Sequence, residues 1–97
     1  MKMRLHVVTE GSEEVAENLK VKLSQLENKL SYSPTREQPS LNNCYEFFCT
    51  ADLTMEEIIA LKSQLNNDWE GTEDDCDAYG FNTTMYDPCM YYIQIQY

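Results

Sequence analysis

The sequence predicts an α+β domain: an antiparallel or mixed sheet of four to five strands, with two amphipathic helices on one face, in ferredoxin-like order. Three observations carry this. Two segments place apolar residues every three or four positions, which is one stripe of a helix. Segments at both ends and in the middle alternate apolar with polar residues, which is the period of a strand. Their order along the 97 residues is strand, helix, strand, helix, strand, strand.

The first strand is "KMRLHVVT". Met3, Leu5 and Val7 share one face; Lys2, Arg4 and His6 share the other. "EGS" turns the chain, and Ser12 is placed to cap a helix that opens on Glu13 and Glu14, acids at the positive end of the helix dipole. Val15, Leu19, Leu23, Leu26 and Leu30 form its apolar stripe, with Lys20, Lys22 and Lys29 towards its far end. Residues 31–43 contain two prolines and read mostly as loop, with "LSYS" available as a short edge strand. "CYEFFCT" is an aromatic-rich strand. Thr54 and Glu57 then make the S/T-x-x-E capping box of a second helix, and Leu53 with Ile58 fits the hydrophobic staple. Met55, Ile58, Ile59, Leu61, Leu65 and Trp69 continue the helix face, and Gly71 is the expected stop. "YGFNTTMY" and "CMYYIQIQY" read as two further strands joined at Asp87-Pro88. In the last, Tyr91, Ile93, Ile95 and Tyr97 oppose Tyr92, Gln94 and Gln96.

This length fits one domain, residues 1–97, with a single core. A hydrophobic fraction of 42% is enough to fold at this charge. No apolar run is long enough to span a membrane, and the basic start lacks the apolar stretch of a signal peptide, so the expected location is the cytoplasm. Cys44, Cys49, Cys76 and Cys89 are then read as reduced thiols. On one strand Cys44 and Cys49 would point to opposite faces, which argues against a shared zinc. No metal and no cofactor are called for.

Charge is the strongest global feature, and it is segregated. The net charge is −10, yet residues 1–36 carry +1, and residues 37–97 carry twelve acids against Lys62 alone. The densest stretch is "NNDWEGTEDDCD", residues 66–77, with six carboxylates and no cation. A calcium loop is one reading, with Asn66, Asp68, Glu70, Gly71 and Asp77 near positions 1, 3, 5, 6 and 12 of that motif. The motif wants Asp at its first position, Glu at its last and a helix to follow, and all three are missing. Catalysis is another. Paired carboxylates do acid–base work where burial drives their pKa values apart, but a polar run is solvated. His6 is the only histidine, with the setting of an ordinary surface residue, and no phosphate-cradling glycine loop exists. The chain reads as a binding protein rather than an enzyme.

A solvated acidic face would serve solubility, but solubility needs only a modest net charge with signs interspersed. Segregated acids repel one another, which costs stability. They also resemble something: duplex DNA carries one negative charge per about 1.7 Å of axis, so twelve carboxylates match roughly 20 Å of duplex. A domain of this length has a radius of gyration near ~13 Å, large enough to display them. The expected binding surface combines Asp52, Glu56 and Glu57 at the start of the second helix with Asp68, Glu70, Glu73, Asp74, Asp75 and Asp77 after it. Glu46 and Asp87 would extend the stripe. Tyrosines are numerous and suit either sheet packing or an interface, and an exposed last strand would permit a dimer as well as a monomer.

In size, acidity, strand–helix order and these carboxylates, the chain resembles the small phage-encoded DNA mimics, which include anti-restriction and anti-CRISPR proteins. The resemblance implies a stoichiometric inhibitor in the host cytosol. It would fill the DNA channel of a basic nucleic-acid-binding complex, with a type I CRISPR surveillance complex the favoured target, without binding nucleic acid itself. The reading from a different class is a small acidic adaptor or regulator that binds a basic protein surface unrelated to DNA.

Overall fold

The computed structural model describes residues 1–66 and 68–97. In chain order the elements are β1 (Lys2–Glu10), α1 (Glu13–Leu26), β2 (Ser31–Tyr32), β3 (Arg36–Glu37), β4 (Cys44–Asp52), α2 (Met55–Leu65), β5 (Glu70–Thr72), β6 (Asp75–Tyr79) and β7 (Met90–Gln96). The strands form one open sheet in the order β2-β4-β1-β7-β6-β5, with β3 also on β4. Every pairing is antiparallel. The α+β expectation holds, but among the described residues the sheet has seven strands rather than four or five.

Alternation in β1 organises the core. Met3, Leu5 and Val7 are fully buried. They lie in register with Ala51, Cys49 and Phe47 of β4, and Leu5 and Val7 also with Ile95 and Ile93 of β7. Ala16, Leu19 and Leu23 of α1, and Ile58, Leu61 and Leu65 of α2, close over the same face in a single cluster. Both helices therefore cover one side of the sheet, and the other side stays open. All four cysteines are free thiols, and burial pushes Cys49 up to about 12. No helix among the described residues is long and apolar enough to cross a membrane.

Several local expectations are corrected. The Ser12 side chain makes no cap hydrogen bond; only its carbonyl accepts, from Val15 N. α1 stops at Leu26, so Leu30 is buried from the return loop and not from the helix. No basic residue sits in its last turn. Thr54 and Glu57 do form the reciprocal capping box of α2. That helix ends at Leu65, well short of Gly71. Trp69 keeps helical spacing without being helical: its indole N–H donates to the carbonyls of Lys62, which also accepts from Asn66 N, and of Asn66, the C-cap. Met55 and Ile59 turn out of the core and are 39% and 54% exposed. "FNTTMY" is not a strand, because β7 already has β1 on one side and β6 on the other, so no ladder is left for it. In β7, Met90 rather than Tyr91 joins Ile93 and Ile95 inside, across an irregularity in the β1 register.

The connection into β7 is tied to α1 through Asp87. Its carboxylate accepts from Lys22 Nζ at 2.5 Å and from Cys89 N at 2.9 Å. Burial alone would raise its pKa, but these two donors hold it down to about 2. A carboxyl depressed in the folded state stabilises the protein above its unfolded pKa, here 3.8, and that stability is lost as pH falls towards about 2. Urea unfolding between pH 6 and pH 2 should therefore show a steep loss of stability below about pH 4. In Asp87→Asn the loss should be shallower, with the remainder due to other depressed carboxyls such as Glu46.

Candidate functional site

The acidic run folds as a β-hairpin. β5 and β6 pair with Glu70 opposite Asp77, Gly71 opposite Cys76 and Thr72 opposite Asp75, leaving Glu73 and Asp74 as the turn. The pleat then sorts the side chains. Cys76 and Ala78 point into the core beside Ile95 and Ile93, while Asp75 and Asp77 point to the open face beside Gln96 and Gln94. Glu70 and Thr72 share that open face by register. Gly71 permits the close pairing: it takes φ +119°, and a Cβ there would stand 2.6 Å from the Asp75 carbonyl oxygen. The turn is braced from behind, since Lys62 Nζ donates to the Glu73 carbonyl and Tyr97 N to the Asp74 carbonyl.

Asp68, Glu70, Glu73, Asp74 and Asp75 are exposed and Asp77 is half-buried. Their carboxylates meet only neutral partners: Thr72 on Asp74, Gln94 on Asp75, and Tyr92 on Asp77. Burial, and then the Asp77 carboxylate, push the Tyr92 hydroxyl up, so it stays a donor. Among the described residues no cationic group lies within 4.0 Å of these six acids. By register Glu70 and Asp77 stand directly opposite each other, with Asp75 two residues further on and Glu73 and Asp74 at the turn, so the acids form a compact cluster of like charge on two strands.

The other acids read from the sequence lie at the end of β4 and in the first turn of α2, whose Met55 borders the hairpin turn. Asp52 ends β4 and is paired with the N-terminal amine at 2.9 Å, which lowers its pKa. Glu57 pairs with Lys29 at 2.8 Å and bonds the Thr54 backbone, which bring it to about 2. Glu56 is exposed in the first turn of α2 and has no cation within 4.0 Å among the described residues. Three strand gaps, about 14 Å, separate Asp52 from Asp75 across the sheet end, beyond a Debye length of about 8 Å at physiological salt. The hairpin is therefore one electrostatic unit, and Asp52 and Glu57 are outliers already neutralised.

Glu46 and Asp87 do not extend any stripe. Glu46 is 2% exposed and accepts from His6 Nε2, Arg36 Nε and Gln38 Nε2 at 2.8, 2.6 and 2.9 Å. Burial raises its pKa, yet His6 and Arg36 bring it below the usual value. This cluster pins β3 to the sheet and gives His6 a structural partner that its sequence setting did not reveal. Nor do the calcium-loop positions converge. Asn66 is buried, with its amide on Met85 and its oxygen on Asp68 N, and Glu70 and Asp77 sit on paired strands. Among the described residues no three His, Cys, Asp or Glu side chains are placed to share a metal.

Sequence reasoning missed two things here. One is that the acidic run is a strand pair, for which the inward Cys76 and Ala78 were the available signal. The other is the aromatic row on the open face, where His6 stacks on Phe48 at 4.5 Å and meets Tyr92 edge-on, and Tyr79 lies 4.8 Å from Tyr92.

Compared with protein-family models, curated proteins and solved structures, the chain finds no match.

Two substitutions test the hairpin geometry. Glu70→Thr removes a like charge directly opposite Asp77 and should raise stability by about 0.2–1 kcal/mol in thermal unfolding. Gly71→Ala forces a Cβ against the Asp75 carbonyl and should cost about 1–3 kcal/mol.

Proposed function

We propose that this protein is a stoichiometric inhibitor that presents the β5–β6 hairpin as an imitation of a DNA backbone. It would occupy the DNA-binding channel of a host defence complex in the cytoplasm, with a type I CRISPR surveillance complex the favoured target. The carrying observation is the cluster of hairpin carboxylates, Glu70, Glu73, Asp74, Asp75 and Asp77, with Asp68 just before them, that have no cationic partner within 4.0 Å among the described residues. Lys and Arg side chains that grip phosphates would meet carboxylates of like charge held on a sheet. Long-range attraction would steer the encounter, and salt would weaken it. Such a role requires no catalytic group and no cofactor.

The fold reading that accompanies this proposal is ferredoxin-like. The run β1-α1-β2-β4-α2-β7, with spatial order β2-β4-β1-β7, supports it, and β5–β6 would be a hairpin inserted before the last strand. The second functional reading, an acidic adaptor on a basic protein surface, is favoured by Phe81. That ring is 69% exposed beside Tyr79, and a DNA backbone has no counterpart for it.

DNA competition separates the two. Added to a purified type I surveillance complex before target duplex, the protein should abolish duplex binding in a gel shift at stoichiometric amounts, and high salt should relieve the block. Replacing Asp74, Asp75 and Asp77 with Lys should weaken the inhibition far more than replacing Glu13 and Glu14. Unchanged duplex binding excludes this target, and equal effects of the two substitutions mean that total charge alone matters.

A further inference from the structure

Among the described residues six large hydrophobic side chains are exposed, and two of them, Met55 and Ile59, stand one turn apart on the flank of α2. Two depressions run end to end beside them. The first is bounded by Met1, Met55 and the hairpin turn, the second by Ile59, Trp69 and Lys62, and Glu73 and Tyr97 border both. The result is a groove between α2 and the hairpin, along which Met55, Ile59 and Trp69 supply apolar surface. Its Trp69 wall is fixed by the indole bonds to the end of α2. Lys62 is already engaged, donating to the Glu73 carbonyl and the Tyr97 hydroxyl, with its ammonium 5.9 Å from the Trp69 ring and 5.4 Å from that of Tyr97.

Charge decides what such a groove accepts. Glu73 and Asp74 form one rim, and Glu56 stands in the turn of α2 that carries Met55. Nucleic acid and anionic lipid have the wrong sign for this rim. A second copy of the chain, at −10, is also disfavoured. We infer that the groove docks a cationic amphipathic helix of a partner protein. Apolar side chains one turn apart would lie on Met55, Ile59 and Trp69, and flanking Lys or Arg would meet Glu56, Glu73 and Asp74. The inference does not depend on DNA mimicry, because the groove needs an apolar anchor that phosphate imitation does not.

The test uses a synthetic helical peptide of Leu and Lys with its leucines one turn apart. The control is a peptide of the same composition in scrambled order, and therefore of the same charge. Trp69, the only tryptophan, reports binding by fluorescence. The amphipathic peptide should give a saturable change and bind at least about tenfold more tightly than its scramble. Ile59→Asp should weaken it by roughly tenfold or more, the scale of an interface anchor, although the added negative charge alone would strengthen attraction. Val21→Asp, at a 61% exposed position that borders neither depression, adds the same charge and should not weaken it. Both sites are exposed, so both variants should fold, and circular dichroism checks this. Equal binding of the two peptides, absence of a saturable change, or equal behaviour of the two variants overturns the inference. None of these outcomes bears on the DNA-competition result.

Discussion

The pairing of β6 with β7 is the constraint on which the rest of the molecule depends. A two-stranded hairpin is marginal in water by itself, and one carrying five carboxylates is worse. Here β6 is not on its own. Cys76 and Ala78 bury against the β7 residues Ile95 and Ile93, and the ladder is bracketed by Tyr97 N on the Asp74 carbonyl and Gly80 N on the Tyr91 carbonyl. Apolar burial on the inner side of the pleat offsets repulsion on the outer side. Since the strand period is two, the residues that anchor the hairpin and those that carry its charge alternate along the same strand.

The carboxylates differ in whether a cation holds them, and those without one include Glu56 as well as the hairpin acids. Glu46, Glu57 and Asp87, with Asp52 more loosely, are held by cations and act as structural ties between distant elements. Among the described residues the hairpin acids meet only hydroxyl and amide groups. Lys62, the one cation of residues 37–97, is spent on the turn backbone and the Tyr97 hydroxyl rather than on a carboxylate. These features are what the proposed binding role of the hairpin rests on.

Much of this was legible in the sequence, and the gaps have physical causes. Strand alternation placed Met3, Leu5 and Val7 inside, and the capping box placed the start of α2, because both are local rules that the core did not override. The end of α2 was misread because Trp69 keeps helical spacing while capping the helix from outside it. The hairpin was missed because its turn, Glu73–Asp74, lacks the Asn-Gly or Asp-Gly signal, and because like charges in register oppose the pairing that long-range burial enforces. Which acids remain unpaired could not be read at all. The contacts of Glu46 with His6, and of Asp87 with Lys22, join residues far apart in the chain.

Native-state hydrogen exchange tests the central claim most directly, because a displayed charge array must be rigid and a solvated acidic loop need not be. The β6 amides bonded to β7 should exchange as slowly as those at the centre of β1, and removing salt should not release them. Exchange of residues 75–79 at the rate of the irregular connection 38–43 would mean that the hairpin does not hold its carboxylates in place, and the account would fail.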